Sequence, residues 1–187
     1  MMLDIRLLTV KDYHRMAEAG IFQPSERVEL IAGQIIKMAA KGTAHESSIT
    51  RTDKLLEQRL GEQVLTRLQS PIQLDDYSEP EPDIAVVIPD PLYYEDHHPI
   101  PSEIYLIIEV ADTTLKIDRQ VKAQIYAQSG ITDYWILDVN ERKLHIFREP
   151  SQNGYQSELI LSENGNISPL AFPNCTFIVR EMLRPIP

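Results

Sequence analysis

The chain has 187 residues, of which 43% are hydrophobic and 25% are charged, and its formal net charge is −10. This composition is typical of a soluble globular protein and the length suits one domain over residues 1–187, while the strongest apolar runs, of five residues, are far shorter than the ~20 that cross a bilayer. The single cysteine, Cys175, excludes a disulfide framework and a thiolate zinc site, and it favours a reducing, cytoplasmic setting.

The N-terminal part of the chain predicts two helices separated by a hairpin. Thr9 with Asp12 three residues later is a capping-box pattern, and Gly20 is expected to end the helix that Thr9 begins. The β-rich runs on either side of Ala32-Gly33 predict a tight hairpin. A second helix is expected from about Ala44 to Leu60.

The remainder predicts a central sheet flanked by helices. The strands are expected at VLTRL, PIQL, Asp83–Ile88, Ile104–Val110, Tyr134–Val139, KLHIFR and YQSELI, with a helix at about Ile117–Ser129. The fold class is therefore α/β (α+β), with an α-β-β-β-α-β core between an N-terminal helix and hairpin and extra C-terminal strands.

Acidic residues concentrate in the middle of the chain. No Lys or Arg occurs between Arg67 and Lys116, whereas 11 acids do. A run of charge is commonly a solvated surface, but Asp83 and Glu109 stand at the ends of the two most apolar stretches. If these two strands are antiparallel neighbours, aligning their centres places Asp83 opposite Glu109.

Two carboxylates held together in a half-buried site repel each other and lose hydration. A divalent cation, a basic side chain or protonation of one acid would compensate, and Mg²⁺ commonly takes one or two carboxylates with water and phosphate oxygens. The spacing leaves another interpretation open, in which Asp83 merely starts a strand and Glu109 forms a salt bridge.

The motifs around these acids resemble the Uma-two family of endonucleases, which belongs to the PD-(D/E)XK, restriction-endonuclease-like superfamily. The resemblance covers residues 29–135 and includes the hairpin ELIAGQIIKM, a histidine after it at His45, and four further motifs in the family's order. These are Pro82-Asp83, Glu109-Val110, Asp118-Arg119 with Lys122, and Tyr126-Ala127 with Gly130-Ile131 and Tyr134-Trp135.

This resemblance implies that Asp83 and Glu109 bind Mg²⁺ or Mn²⁺ for the hydrolysis of DNA phosphodiester bonds. The superfamily places a lysine two residues after the second acid, where this chain has Ala111. Lys122 is the replacement that the family pattern indicates, so Asp83, Glu109 and Lys122 are the predicted catalytic residues. Alternatively, Lys122 is an exposed lysine paired with Asp118 one helical turn away.

Three further residues are candidate accessories to the site. Glu29 could add an acid near the metal or face solvent, and His45 could contact metal or phosphate or lie on the surface. Tyr126 follows Lys122 by four residues and shares its helix face. The adjacent pair His97-His98 is not expected to share an ion, because neighbouring side chains on an extended chain point apart.

Two function classes remain open. One is a metal-dependent DNA endonuclease, and the other is a catalytically inactive nuclease-fold module with a binding or regulatory role. The net charge of −10 weighs against tight binding to a polyanion, although ten of the 18 basic residues lie in the first 67 positions. Superfamily habit and the apolar, aromatic C-terminal strands favour a homodimer.

Overall fold

The computed structural model describes residues 5–186. The first and last residues of the predicted single domain, 1–4 and 187, lie outside this range, and the domain assignment stays a prediction. The elements are α1 (Val10–Glu18), β1 (Val28–Ile31), β2 (Gln34–Lys37), α2 (Thr43–Leu60), β3 (Leu65–Leu68), β4 (Ile84–Val87), β5 (Ile104–Ala111), α3 (Leu115–Ile117), a π-helical turn (Asp118–Lys122), α4 (Ala123–Gln128), β6 (Asp133–Asp138), β7 (Lys143–Ser151), β8 (Gly154–Ser162), β9 (Asn166–Ile167), β10 (Phe177–Ile178) and α5 (Val179–Met182), with short 3₁₀ turns at Gly61–Gln63 and Pro101–Glu103.

The predicted α-β-β-β-α-β core is present as α2, β3, β4, β5, the helical segment that ends with α4, and β6. Six strands form one sheet in the order β3-β4-β5-β6-β7-β8. All neighbouring pairs are antiparallel except β5 and β6, which are parallel. A parallel pair needs a crossover, and here the crossover is the helical segment from α3 to α4.

Both faces of the central strands are buried, which explains why β4 and β5 are continuously apolar. Ile84 and Val86 pack on one face with α2 and the C-terminal elements. Ala85 and Val87 face the opposite side, where they pack with residues of α4. Since side chains alternate along a strand, Asp83 continues the face of Ala85 and therefore lies on the α4 side of the sheet.

One prediction is wrong: the segment PIQL does not form a strand. Ile72 and Leu74 are buried, as the alternating pattern indicates, and their N–H groups donate to the carbonyls of Pro80 and Ser78. Pro80 has no N–H to return to Ile72, so a regular antiparallel ladder cannot form there.

The third predicted helix differs in its start and in its form. It begins at Leu115 rather than near Ile117, and it contains the π-helical turn Asp118–Lys122 before it continues as α4. Within the described residues, no helix is long and apolar enough to cross a membrane.

The predicted hairpin joins β1 to β2 through a tight turn at Ala32 and Gly33. Both residues have positive φ, 48° and 73°, which is the requirement of a type I′ turn. A side chain at Gly33 would also meet the Cβ of Leu7 at 2.6 Å. This turn fixes β1, which carries Glu29.

We therefore expect Gly33→Ala to destabilise the protein. The left-handed backbone costs about 1–2 kcal/mol for a residue with a Cβ, and the clash with Leu7 adds to that cost. Gly20→Ala is the matched control, because Gly20 also has positive φ but open space around it. Urea denaturation should give a larger loss of unfolding free energy for Gly33→Ala; equal losses would contradict the close approach.

Candidate metal centre

The two central strands bring Asp83 and Glu109 together. Ile84 pairs with Ile108 in the antiparallel β4–β5 ladder, so Asp83 and Glu109 stand opposite each other as the next pair and share the other face of the sheet, that of Ala85. The N–H of Asp83 donates to Glu109 Oε2 over 3.2 Å, and the N–H of Val110 donates to Asp83 Oδ2 over 2.9 Å. Both side chains are buried. The register that the sequence predicted is the one in the structure.

Lys122 reaches the same place from the π-helical turn. Its Nζ lies 3.0 Å from Glu109 Oε1 and 3.5 Å from Glu29 Oε2, and the residue is only 6% exposed. The Tyr126 hydroxyl donates to the same Glu109 Oε1 over 3.0 Å. The ion pairs of Lys122 are thus made with Glu109 and Glu29, and the alternative of an exposed lysine paired with Asp118 is wrong.

The π-helical turn is part of this arrangement. The N–H of Ala123 bonds to the carbonyl of Asp118 five residues earlier, which widens the helix by one residue. Thr114 Oγ1 donates to Asp118 Oδ2 over 2.7 Å at the start of the segment. Lys122 and Asp118 are both buried within the turn, so the helix contributes a basic and an acidic group to the site.

The start of α2 supplies two more groups around Asp83. His45 Nε2 lies 3.0 Å from Asp83 Oδ1, and both residues are buried, so His45 belongs to the site rather than to the surface. Lys41 Nζ lies 3.8 Å from the same oxygen and, within the described chain, has no hydrogen-bond partner although the atom is buried. No motif or periodicity in the sequence singles out Lys41.

Glu29 is also buried rather than turned to solvent. Its Oε2 accepts a hydrogen bond from the N–H of Glu81 over 3.0 Å and lies 3.5 Å from Lys122 Nζ. Four buried acids thus lie around one end of the central strands: Glu29, Asp83, Glu109 and Asp118.

These groups line a cavity of about 450 Å³. Its polar lining includes the four acids, Lys41, His45 and Lys122, and its apolar lining includes Ile36, Met38 and Ile117. A cavity of this size, with convergent polar groups on partly apolar walls, is typical of a ligand site.

Burial and charge shift the protonation equilibria of this cluster. Burial raises the pKa of Glu109 well above its ordinary value, the charge of Lys122 opposes that rise, and Asp83 adds to it. Burial also raises the pKa of Asp118, to about 6. The pKa of Asp83 is lowered, because the hydrogen bond and charge of His45, the N–H of Val110 and the charge of Lys122 together outweigh its burial.

Lys122 stays charged in this environment. Burial alone would lower the pKa of its ammonium, but the negative charges of Glu109, Glu29 and Asp118 outweigh that effect and raise the pKa. The cluster therefore combines one firmly protonated lysine with an excess of acids, of which some are driven to take up protons. An additional cation would relieve this excess.

Comparison with known proteins identifies the family. Residues 10–180 match the model of Uma2, the Uma-two family, which is described as "Putative restriction endonuclease". The chain belongs to the Uma2 family. No match to a curated protein was found.

A solved structure supports the same fold. The "putative nuclease belonging to DUF820" from Anabaena variabilis has a TM-score of 0.71 to this chain at 15% sequence identity, covering 94% of this chain and 97% of that one. At this identity the likeness establishes the fold alone, and the restriction-endonuclease-like fold predicted from the motifs is confirmed.

Sequence reasoning found most of the Uma2 candidate site but missed two of its groups. Asp118 was noted as part of the family motif with Lys122 and as a pairing partner of that lysine, but not as a site residue, although it follows an apolar residue inside a predicted helix and is buried in the cavity wall. Lys41 stands in a loop whose path no periodicity predicts. Its position just before α2 is the one signal that could have identified it.

We expect Asp118→Asn to stabilise the metal-free protein at pH 7.5. A folded-state pKa of about 6 against an ordinary 3.8 means that the folded state binds the proton more tightly than the unfolded state. The stability that protonation contributes is present at acidic pH and is lost as pH rises from about 4 through 6. The difference between a pKa of about 6 and the ordinary 3.8 corresponds to about 3 kcal/mol of unfolding free energy at most.

The measurement is urea denaturation of both proteins at pH 4.5 and 7.5 in the presence of a chelator. The advantage of Asp118→Asn should be larger at pH 7.5. The exposed residue Asp76 supplies the control variant, Asp76→Asn, which should show no such dependence. An equal advantage at both pH values would mean that Asp118 does not titrate in this window.

Proposed function

We propose that this Uma2 protein is an endonuclease that hydrolyses DNA phosphodiester bonds with Mg²⁺ or Mn²⁺. The observation that carries the proposal is the pairing of Asp83 and Glu109 across β4 and β5, inside a cavity, with Lys122 at 3.0 Å from Glu109. Asp83, Glu109 and Lys122 are the proposed catalytic residues, with Glu29, His45 and Tyr126 as accessories.

The residues present fit a hard divalent cation. Mg²⁺ and Mn²⁺ prefer carboxylate oxygens, and this cluster holds four buried acids against a single fully buried lysine. Asp83 and Glu109 would hold the ion. When bound, it would supply a Lewis acid that polarises the phosphodiester and lowers the pKa of a bound water.

Lys122 has the geometry of a positioning and charge-compensating group. An ammonium has three N–H donors, and in this structure two acids, Glu109 and Glu29, lie within ion-pairing distance of Nζ. The third donor is available to an attacking water or to a phosphate oxygen. Tyr126 shares Glu109 Oε1 with Lys122 and so holds that carboxylate in one orientation.

The start of α2 is suited to contact the phosphate. Gly42 caps the helix without a side-chain hydrogen bond, so the first N–H groups of α2 are not satisfied by a capping side chain. Lys41 stands next to Gly42, and both line the cavity. A helix N-terminus beside a lysine without a hydrogen-bond partner is a favourable place for an anionic oxygen.

The net charge supports the competing function. A protein of charge −10 gains little from counterion release, and Ala111 occupies the position of the superfamily's lysine. A catalytically inactive module that binds or regulates through the same cavity is therefore the second candidate. It differs from the first in that it has no metal-dependent turnover.

We expect millimolar Mn²⁺ to raise the melting temperature of the protein and to support cleavage of DNA. A ligand that binds only the folded state at a hundredfold excess over Kd stabilises it by about 2.7 kcal/mol, which corresponds to roughly 5–10 °C for a domain of this size. Asp83→Asn removes the carboxylate charge but keeps an oxygen for the Val110 N–H, and it should abolish both effects.

Asp76→Asn is the matched control, because it removes an exposed carboxylate of the same acidic region. The assays are differential scanning fluorimetry and cleavage of single-stranded, duplex and supercoiled DNA, with DNA binding measured in parallel. Stabilisation by Mn²⁺ without cleavage of any substrate would favour the inactive module. A melting curve that Mn²⁺ leaves unchanged would contradict the metal site itself.

We also propose that the protein acts as a homodimer, which suits the cleavage of both strands of a duplex. Strand β8 lies at one end of the sheet order and, in the described part of the chain, pairs on one side only, with β7. Leu159 and Ile160 on this strand are 47% and 48% exposed. An apolar edge strand of this kind is covered in most native proteins.

The prediction is a dimeric mass in light scattering at micromolar concentration. Leu159→Lys should shift it to the monomer, because a charge at the edge opposes strand pairing. Leu170→Lys is the control, since Leu170 is equally exposed, at 47%, but lies outside β8. A monomeric mass for the native protein would contradict the proposal.

A further inference from the structure

A second group of possible metal ligands lies outside the candidate metal centre. One ligand atom each from His14, Glu79 and His98 lies within 4.8 Å of the other two. His14 is on α1, Glu79 is in the segment before β4, and His98 is in the loop between β4 and β5. None of the three lines the cavity that holds Asp83 and Glu109.

The charge of Glu79 is poorly compensated in this position. Its side chain is 3% exposed, and both carboxylate oxygens lie near the same atom, His14 Nε2, at 2.8 and 3.0 Å. Among the described residues, His14 is the only side chain at hydrogen-bonding distance from this carboxylate, and its own side chain is 48% exposed. A buried carboxylate is costly unless a cation or several hydrogen-bond donors accompany it.

His98 carries an unsatisfied ring nitrogen. Within residues 5–186 its Nδ1 is buried and has no hydrogen-bond partner. The rings of His98 and His14 are oriented edge to face, with 6.5 Å between their centroids. His97 instead forms hydrogen bonds with Asp96 and Glu103. The adjacent histidines therefore have different partners, and His98 joins ligands that are distant in sequence.

We propose that His14, Glu79 and His98 bind a Zn²⁺ ion that fastens α1 and the β4–β5 loop to the segment before β4. Two imidazoles and one carboxylate suit zinc and related transition metals, whereas Mg²⁺ prefers oxygen ligands alone. The fourth position of the tetrahedral ion is left to water, which the exposure of His14 admits. This site is independent of the proposed endonuclease function.

Two of the three ligands, His14 and Glu79, require only a small adjustment to admit the ion, and the ligand atom of His98 lies within 4.8 Å of both. Bonds of about 2.0–2.2 Å around a tetrahedral zinc put neighbouring ligand atoms roughly 3.3–3.5 Å apart. His14 Nε2 and Glu79 Oε1 are 2.8 Å apart, so they must separate by about half an ångström from their present hydrogen bond. The half-exposed His14 side chain has the room to move outward.

The test is zinc binding by the full chain in the Asp83→Asn background, which removes one of the two proposed metal-binding carboxylates of the candidate metal centre. After treatment with a chelator, bound Zn²⁺ is counted by equilibrium dialysis and mass spectrometry of the metal, and its affinity is measured by competition with a chromophoric chelator. We expect one Zn²⁺ per chain. His98→Ala and His14→Gln should each weaken binding at least tenfold.

His97→Ala is the matched control, because it removes the neighbouring histidine and leaves the three ligands intact. It should retain the zinc affinity of the background protein, and it should retain the rise in melting temperature that Zn²⁺ produces. His14→Gln guards against misfolding, since His14 is half exposed on α1. The proposal is overturned if the background protein binds no zinc, or if His98→Ala and His14→Gln both bind it within twofold of that protein.

Discussion

The burial of several acids around one end of the central strands β4 and β5 is the constraint on which the rest of this site depends. Asp83 and Glu109 face the same side because β4 and β5 are antiparallel with Ile84 opposite Ile108. Asp83 and Glu109 are buried next to strands that are apolar on both faces, so solvent stabilises these carboxylates poorly. Positive charge has to be brought to them by other parts of the chain.

The helical crossover between β5 and β6 brings that charge. A parallel strand pair requires a crossover over one face of the sheet, and here the crossover covers the face that Asp83 and Glu109 share. The π-helical turn buries Lys122 against Glu109 at the point where the crossover passes the acids. The topology thus brings a lysine from the next element to Glu109, whereas the strand itself has Ala111 two residues after that acid.

The sequence predicted the parts of the site that follow from periodicity and motif. The continuous apolar runs identify β4 and β5, and the PD and EV motifs place an acid at the end of each. The motif D-R-x-x-K selects Lys122, and the structure places its Nζ 3.0 Å from Glu109. Asp83 and Glu109 lie next to or within regular strands, whose alternation sets the face of each side chain, whereas Lys122 lies in the π-helical turn and was identified by the motif.

The remaining groups depend on the paths of loops, which no spacing encodes. Lys41 reaches Asp83 from the connection between β2 and α2, and the prolines around Ile72 turn a strand-like pattern into an irregular segment. His14, Glu79 and His98 are separated by up to 84 positions in the sequence (98 − 14) and meet only when three segments pack together. For the same reason, the adjacent pair His97-His98 was a poor guide to the ligand partners of either histidine.

The acid excess also bears on how an acidic protein could accept a polyanionic substrate. In the proposed endonuclease, the carboxylates that face the cavity would repel a phosphodiester until positive charge balances them. Lys41 and the start of α2 attract an anionic oxygen from one side of the cavity, and Lys122 is already engaged with two acids on the other. In that proposal, the cavity would favour a ligand that carries its own cation into the site, or that arrives after one. In the proposed endonuclease, overall net charge would limit the strength of binding along the DNA, whereas the local balance at Asp83 and Glu109 would decide whether the scissile phosphate can enter at all.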